Sequence, residues 1–318
     1  MPAVAAPETA VAKRFARAPA GQGTPAERRS AAGAEVNGDA DRVWVHGIPW
    51  RVGIDVAWVQ GRAPRVLNER YTDSEAWEAM LHAGLSYAAR PRIDRLVVGL
   101  PVEHFHERGR VEALTQRLLG THQVDEGREV VVDQVEVLPQ PGGAIADYAW
   151  RIGDALVWEG RVLVVDPGYY SFDWALFDKG RYRDQVSGSG DEAVSRIAEG
   201  VAETIAHARG IDHVAADRVE AAMRAGRAYV LVGGVQESLE PHLGVVAERV
   251  VGAAMNRMLS ALRGEEVHPD LVLLVGGGAR FYEPALRSEF GRIARVDVAP
   301  EPILANVRGF WSRGCDFA

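Results

Sequence analysis

Short apolar segments typical of buried β-strands alternate with helical patterns along most of this chain, and no other feature limits the possible fold more. The strand pattern starts at Val43 and restarts near residue 160. Strands that alternate with helices are typical of α/β folds. A length of 318 residues leaves room for two domains. The sequence therefore predicts an α/β protein with two lobes of similar plan.

The predicted division of the chain has three parts. Residues 1–42 are rich in Ala, Pro and Gly and have little hydrophobic periodicity, so we interpret them as a loop or a disordered segment. Residues 43–160, together with 305–318, form the predicted lobe I, and residues 161–304 form lobe II. The predicted strands are a hairpin at 43–52 and segments at 96–101, 129–138, 162–165, 174–177, 228–232 and 271–275, and the clearest helices are at 191–206 and 243–262.

Composition excludes several classes of protein. Hydrophobic residues make up 47% of the chain and charged residues 25%, as in ordinary globular proteins. No stretch approaches the roughly 18 uninterrupted apolar residues of a membrane span. The net charge of −8, without an obvious basic face, argues against direct DNA binding. Cys315 is the single cysteine, so no intramolecular disulfide can form, which fits a reducing cytoplasm.

Residues 164–173, with the sequence VVDPGYYSFD, place an aspartate on each side of a tight turn. Proline presets the backbone for a turn, and Gly168 tolerates positive φ. Such a turn presents backbone N–H groups and the Ser171 hydroxyl to a phosphate. Asp166, at the end of the strand, is a suitable acceptor for hydrated Mg²⁺. The alternative interpretation is a plain hairpin whose aspartates stabilise the turn.

A second motif follows the apolar segment 271–275, which runs into Gly276, Gly277 and Gly278. Glycine lets the backbone lie against a ligand where any Cβ would clash. Glycine-rich turns also follow strands that bind nothing. This motif alone therefore leaves a ligand contact and an ordinary turn both open.

A third motif, LPQPGGA at residues 138–144, ends a strand in a glutamine flanked by prolines and then begins a helix. A glutamine fixed at a strand end, here Gln140, can orient an attacking water for phosphoryl transfer. The alternative interpretation is an ordinary junction between a strand and a helix.

The order of these motifs is more informative than any one of them. LPQPGGA comes first, then the 166–173 turn, then the glycine run, and finally a small-residue helical segment, ILANVRGFW, at 303–311. This order closely resembles the superfamily of actins, heat-shock chaperones and sugar kinases. The sequences LPQPGGA and ANVRGF resemble the corresponding motifs of the ParM/StbA plasmid-segregation actins. They also resemble those of the actin-like protein D of PRTRC plasmid gene clusters. The resemblance runs from about residue 43 to the end.

The resemblance implies a two-lobed actin-like (ribonuclease H-like) fold with a central nucleotide cleft, and ATP or ADP with Mg²⁺ as cofactors. It implies that Asp166 coordinates Mg²⁺ through water and that Gln140 positions the attacking water, which makes these two the candidate catalytic residues. Asp173 is expected to secure the hairpin. The nucleotide contacts that the resemblance implies are Gly168, Tyr169, Ser171, Gly276, Gly277 and Gly278.

One departure from the family pattern concerns its first phosphate-binding hairpin, phosphate 1, an Asp-x-Gly with a nearby Asn and Lys. Residues 52–57 imitate it, but Ala57 stands where glycine is expected and no Asn-x-Lys follows. Residues 2–6 resemble the family stretch that normally comes after phosphate 1. The simplest interpretation is that the first strand pair is absent, by truncation, a misassigned start or real loss. Half of the phosphate clamp is then missing.

Three functions are compatible with these observations. The leading hypothesis is a filament-forming ATPase of a plasmid partition or maintenance system, with self-association and an adaptor protein that links it to plasmid DNA. The alternative is an actin-like scaffold that binds nucleotide without hydrolysis, or binds none. The third is a small-molecule kinase of the same superfamily, with Glu103 as a candidate acid. Residues 104–106 lack the spacing of a metal site, and residues 187–190 are interpreted as a turn.

Overall fold

The computed structural model describes residues 4–8, 42–54, 71–153, 155–264 and 268–315. The chain groups by contacts into two compact units. The first comprises Met1–Leu96 and Gln116–Val135, and the second comprises Val97–Thr115 and Glu136–Ala318. This grouping does not test the boundaries of lobes I and II, which stay a prediction.

The secondary structure elements are numbered here in chain order. The strands are β1 (Val4–Pro7), β2 (Arg42–Val45), β3 (Ile48–Ile54), β4 (Arg92–Ile93), β5 (Leu96–Leu100), β6 (Gly120–Asp125), β7 (Arg128–Val132), β8 (Val135–Pro139), β9 (Arg161–Pro167), β10 (Phe172–Asp178), β11 (Arg181–Gly190), β12 (Tyr229–Val232), β13 (Val235–Ser238), β14 (Leu271–Leu274) and β15 (Arg295–Val298). The helices are α1 (Glu75–Tyr87), α2 (Val102–His106), α3 (Arg110–Leu118), α4 (Gln140–Ile152), α5 (Leu156–Glu159), α6 (Val194–Arg209), α7 (Ala216–Arg224), α8 (Glu240–Gly264), α9 (Ala279–Phe290) and α10 (Ala305–Cys315), with 3-10 turns at Tyr71–Asp73 and Pro302–Leu304.

The first unit contains two three-stranded sheets and the helix α1. One sheet has the antiparallel order β1–β3–β2, and the other has the order β4–β7–β6. Helix α1 begins after Ser74, whose hydroxyl accepts a hydrogen bond from the Trp77 N–H at 3.3 Å. That contact satisfies one of the free N–H groups at the helix start. Small residues of α1, such as Ala79, let the helix pack closely on the apolar face of the first sheet.

The second unit is organised by a five-stranded mixed sheet with the order β11–β10–β9–β14–β15. Strands β9, β14 and β15 are parallel, and β9, β10 and β11 are antiparallel. Side chains of β9 alternate between two cores, with Leu163 and Val165 in one and Val162 and Val164 in the other. Burial on both faces explains why β9 and β14 read as continuous apolar runs in the sequence.

Helices α4 and α10 cross at backbone contact on one side of this sheet. A Cβ at Gly309 would clash with the carbonyl of Gly143, so glycine is required at the crossing. One turn further along, the buried Asp147 carboxylate accepts hydrogen bonds from the Arg308 guanidinium, the shortest at 2.7 Å. These contacts fix the start of α10 relative to α4.

The rest of the second unit has its own core. Helices α6 and α7, the hairpin β12–β13 and the first half of α8 bury a separate apolar cluster that includes Ile197, Ile205, Val219 and Val246. Strands β5 and β8 form a two-stranded sheet, and β8 leads directly into α4. Within the described residues, no helix is both long and apolar enough to cross a membrane.

Several predicted elements are confirmed by the structure. They are the hairpin at 43–52, the strands at 96–101, 162–165, 174–177, 228–232 and 271–275, and the long helix at 243–262, each within a few residues of its predicted bounds. The predicted α/β class agrees with these elements.

Other predictions are wrong. The single strand predicted at 129–138 is two strands, β7 and β8, in different sheets. The polar residues Asp133 and Gln134 separate them, and Asp133 pairs with Arg92 at 2.6 Å. Val4–Pro7, predicted as part of a loop, forms β1 and pairs with β3.

The segment 187–190, predicted as a turn, is instead the end of β11 and pairs with the start of β10. Its Gly188 serves packing, because a Cβ there would lie 2.6 Å from the Trp174 ring. The helix predicted from Asp191 begins three residues later, at Val194.

Candidate functional site

The β9–β10 hairpin places its two aspartates opposite each other, since Asp166 and Asp173 are Cα partners in the antiparallel register. The turn closes with a hydrogen bond from the Gly168 N–H to the Ser171 carbonyl at 2.8 Å. The carbonyls of Gly168 and Tyr169 accept hydrogen bonds from the first two N–H groups of α6, at 3.2 and 2.9 Å. The turn is therefore attached to the start of α6.

Asp173 is almost fully buried and has several hydrogen-bond donors. The Ser171 hydroxyl donates to one carboxylate oxygen at 2.5 Å. The Val102 N–H donates to the other oxygen at 3.0 Å, and the Ser189 hydroxyl donates to that same oxygen. Burial raises the pKa of Asp173, and these donors, with the nearby His104, oppose the rise. Asp173 thus joins the turn, β11 and the start of α2.

Asp166 is also buried, but in the described residues it has a single hydrogen bond, from the Asn306 side-chain amide at 2.6 Å. Burial, and after it the charge of Asp173, raise the pKa of Asp166 to about 7, although the bond from Asn306 opposes the rise. A carboxylate with so few donors favours a nearby positive charge. Waters bound to a cation are donors, so this position suits a hydrated metal ion.

The glycine run packs directly on this hairpin. The Gly278 N–H donates to the Pro167 carbonyl at 2.8 Å, and a Cβ on Gly278 would lie 2.7 Å from that oxygen. Gly276 has φ of +79°, and a Cβ there would clash with Asp166 Oδ1. At Gly277 the nearest atom to a Cβ is 3.6 Å away, on Ile303. Packing therefore requires the first and third glycines but not the second.

Gln140 lies at the start of α4 and is half-buried. Its neighbour on β5 is Gly99, where a Cβ would lie 3.0 Å from Gln140 Cγ. Within the described residues no hydrogen bond joins Gln140 to the hairpin. The structure thus brings the 166–173 turn and the glycine run into contact, and it leaves Gln140 without a direct bond to them.

A pocket of about 570 Å³ opens beside the helix that follows the glycine run. Arg280 and Phe281 of α9 line it together with Arg227 and Leu243. The Arg280 guanidinium lies 4.6 Å from the centre of the Phe281 ring and donates to the Met223 carbonyl at 3.0 Å. The volume is within the range that accommodates small organic ligands.

Comparison with known proteins identifies the fold that carries this site. Residues 8–143 match the family of actin-like protein N-terminal domains. The archaeal actin homologue Ta0583 is 20% identical, with a TM-score of 0.68 over 88% of this chain and 87% of its own. A ParM filament from Clostridium botulinum is 15% identical, with a TM-score of 0.65 over 93% of this chain and 90% of that chain. The chain has an actin-like fold similar to those of Ta0583 and ParM.

Ta0583 is also known in complex with ADP, and that structure is 20% identical with a TM-score of 0.64 over 86% of this chain and 88% of its own. Among curated protein sequences, none is significantly similar to this chain. The predicted actin-like fold is therefore confirmed, and the assignment to the StbA or PRTRC subtypes stays a prediction.

Some contacts at this site were not predicted from the sequence. They are the bonds of Ser189 and Val102 to Asp173, of Asn306 to Asp166, and of the Gly276 N–H to the Pro302 carbonyl at 2.9 Å. Asn306 lies in the ANVRGF motif, which the sequence analysis singled out, but its contact with Asp166 was not predicted. The others arise where distant segments meet.

The residues of the site fit a nucleotide phosphate with hydrated Mg²⁺. The carbonyl oxygen of the Asn306 side chain is buried without a hydrogen-bond partner in the described part of the chain. No group of three or more His, Cys, Asp or Glu residues with metal-site geometry occurs there either. A site with few protein oxygens beside Asp166 is one that Mg²⁺ fills while keeping several waters. Asp55, in the segment that imitates phosphate 1, lies outside the described residues.

Proposed function

We propose that this actin-like protein binds ATP or ADP with Mg²⁺ and assembles into filaments in a nucleotide-dependent way. The observation that carries the proposal is the packing of the glycine run on the Asp166–Asp173 hairpin. Two segments that the family uses for nucleotide lie in contact here. The ADP complex of Ta0583 and the filament of Clostridium botulinum ParM support the proposal by similarity of fold.

In this proposal the nucleotide phosphates lie against the hairpin turn. Asp166 accepts hydrogen bonds from Mg²⁺-bound water, and Gly168, Tyr169 and Ser171 contact the phosphates. The bound Mg²⁺ neutralises phosphate charge, as in other phosphoryl-transfer proteins. Asp173 holds the Ser171 hydroxyl, so its effect on the ligand is indirect.

The other proposed contacts come from residues outside the hairpin. Gly276, Gly277 and Gly278 lie against adenosine, and the adjoining pocket at Arg280 and Phe281 is our candidate for the base. Gln140 orients water if hydrolysis occurs.

Nucleotide binding is tested by calorimetry with ADP and ATP, with and without Mg²⁺. We expect micromolar affinity that increases with Mg²⁺. Asp166→Asn should remove most of the Mg²⁺-dependent gain. Asp184→Asn is the matched control. Asp184 is exposed on β11, and its substitution removes the same charge. Absence of binding by the wild-type protein, with and without Mg²⁺, would overturn the nucleotide proposal.

The second candidate function is a scaffold. A measurement of ATP hydrolysis distinguishes it from an ATPase. Residues 52–57 imitate phosphate 1 but have Ala57 where glycine is expected, which favours a scaffold that binds nucleotide without turning it over. Phosphate release from ATP is the decisive measurement. Turnover that Gln140→Ala abolishes selects the ATPase, and tight binding without turnover selects the scaffold. A role in plasmid partition through an adaptor belongs to the same proposal.

Exposed aromatic side chains support self-association. Trp150 on α4 and Trp311 on α10 are 62% and 63% exposed, and their ring centres are 6.1 Å apart. Val307, one turn before Trp311, is also exposed. Exposed apolar clusters with tryptophan are typical of protein interfaces. We assign this surface to contact with a second copy of the chain.

Assembly is measured by light scattering after addition of ATP and Mg²⁺. The double variant Trp150→Ala/Trp311→Ala should raise the protein concentration needed for assembly. Trp158→Ala is the control, because Trp158 is equally exposed, at 63%, and lies against Gly180, outside the Trp150–Trp311 pair. Equal effects of the two variants on this concentration would contradict the assignment. So would assembly that neither variant changes.

A further inference from the structure

Asn306 is held in one position by the helix that carries it. It is the second residue of α10, and its backbone carbonyl lies where a Cβ on Gly143 of α4 would clash. The ion pair between Arg308 and Asp147 fixes the same first turn of the helix. The Asn306 side chain therefore has little freedom to move toward another partner.

The two ends of its amide group are unequally satisfied. The nitrogen donates to Asp166 Oδ2 at 2.6 Å, while the oxygen is buried and has no hydrogen-bond partner in the described part of the chain. A buried acceptor without a donor is costly, and native structures rarely leave one. When Asp166 is ionised, its carboxylate only accepts, so the amide atom that faces it is the nitrogen.

Two backbone donors of the glycine run, which packs against Asp166, are already in use. The Gly276 N–H bonds to the Pro302 carbonyl at 2.9 Å, and the Gly278 N–H bonds to the Pro167 carbonyl at 2.8 Å. Asp166 itself offers only acceptors when ionised. No donor of the described residues bonds the Asn306 oxygen, so a ligand of the site can supply one, and water on a cation is such a donor.

We propose that Asn306 is a second acceptor for the water shell of Mg²⁺ beside Asp166, and that its amide nitrogen positions the Asp166 carboxylate. This inference rests on the proposed function, because it assigns a residue to the cation of the same nucleotide site. It also connects that site to α10, since Asn306 belongs to the helix that crosses α4.

The test is calorimetric titration of ADP over a series of Mg²⁺ concentrations and in EDTA, with the full chain. We expect Asn306→Ala to lose about tenfold of the affinity gained from Mg²⁺, which is the usual size of an effect from a residue next to a metal site. Asn306→Asp keeps an acceptor and loses the donor, so it should retain more of the Mg²⁺ gain than Asn306→Ala. Asn256→Ala, on the exposed face of α8, is the matched control.

A merely structural role predicts a different pattern. Asn306→Ala would then weaken ADP binding equally with Mg²⁺ and in EDTA, or lower the melting temperature alone, and either result overturns the inference. If Asn306→Ala does not fold, Asn306→Ser and Asn306→Asp replace it, because both keep a polar side chain. If the wild type binds ADP with Mg²⁺ and the variants keep the full Mg²⁺-dependent gain in affinity, the role of Asn306 is rejected. The proposed function is then unaffected. Absence of ADP binding by the wild type rejects both.

Discussion

The two aspartates of the β9–β10 hairpin face each other but have opposite surroundings. Asp173 receives bonds from two hydroxyl groups and one backbone N–H. Asp166 receives one bond, from Asn306. Both carboxylates are buried, so the difference lies in the donors and not in exposure. A buried carboxylate with a full set of donors is explained by the fold, whereas one with a deficit is a candidate for binding or catalysis.

The pKa of Asp166 gives the largest expected effect. Burial, with the charge of Asp173, raises this pKa from 3.8 to about 7, so between these pH values the folded state holds a proton that the unfolded state releases. Stability should therefore fall as pH rises from about 4 through 7, and the full penalty applies above 7. Each pKa unit is worth about 1.4 kcal/mol, so the total is on the order of 4 kcal/mol.

Asp166→Asn removes this titration. The variant should be more stable than the wild type at pH 8 and show little difference at pH 4, as measured by urea unfolding at both pH values. The same variant should lose the Mg²⁺-dependent part of nucleotide binding. A wild-type pH profile that Asp166→Asn leaves unchanged would show that Asp166 is not the group with the raised pKa.

Removal of the other aspartate should have the opposite sign. Asp173→Ala leaves the Ser171 and Ser189 hydroxyls and the Val102 N–H without their acceptor, and we expect a loss of about 3 kcal/mol of unfolding free energy at neutral pH. Asp178→Ala is the control, because Asp178 ends the same strand in partly exposed ion pairs with arginine. A loss no larger than that of the control would contradict the anchoring role.

The hairpin and the glycine run could each be predicted from the sequence because each motif is local. An apolar run that ends in an acid or in glycines specifies its own turn, and parallel strands bring their ends to one edge of the sheet. The same logic predicted β9, β10 and β14, whose two-sided burial leaves continuous apolar sequences.

The partners of the aspartates could not be predicted in this way. Asn306 reaches Asp166 because α4 and α10 cross at Gly143 and Gly309, a contact between segments far apart in the chain. Ser189 lies in the sequence SGSG, which is typical of a turn, so its place in a strand was not predicted. In the structure Gly188 is needed because a larger residue would clash with the Trp174 ring. A strand whose glycine serves packing looks like a loop when its neighbour is unknown.

The three glycines test which part of the site belongs to the ligand. Gly276→Ala places a Cβ against Asp166 at a φ of +79°, and we expect a loss of about 2 kcal/mol of stability. Gly277→Ala should leave stability unchanged, since its nearest neighbour is 3.6 Å away. If Gly277 lies against the nucleotide, the same variant should weaken ADP binding. Unchanged ADP affinity in a stable Gly277→Ala protein would remove this glycine from the proposed site.

Substitution of Ser171 has the smallest expected effect on stability. It tests whether the Ser171 hydroxyl only supports Asp173 or also contacts the nucleotide. Its hydroxyl donates to Asp173 at 2.5 Å, and the proposed function also places it at a phosphate. Ser171→Ala should cost about 1 kcal/mol in stability, close to the cost of Ser189→Ala, because each removes one donor from Asp173. Ser189 belongs to β11 and not to the turn, so only Ser171→Ala should also weaken nucleotide binding. Equal affinities of the two variants in calorimetry would mean that the Ser171 hydroxyl serves Asp173 alone, and that the turn binds phosphate through its backbone.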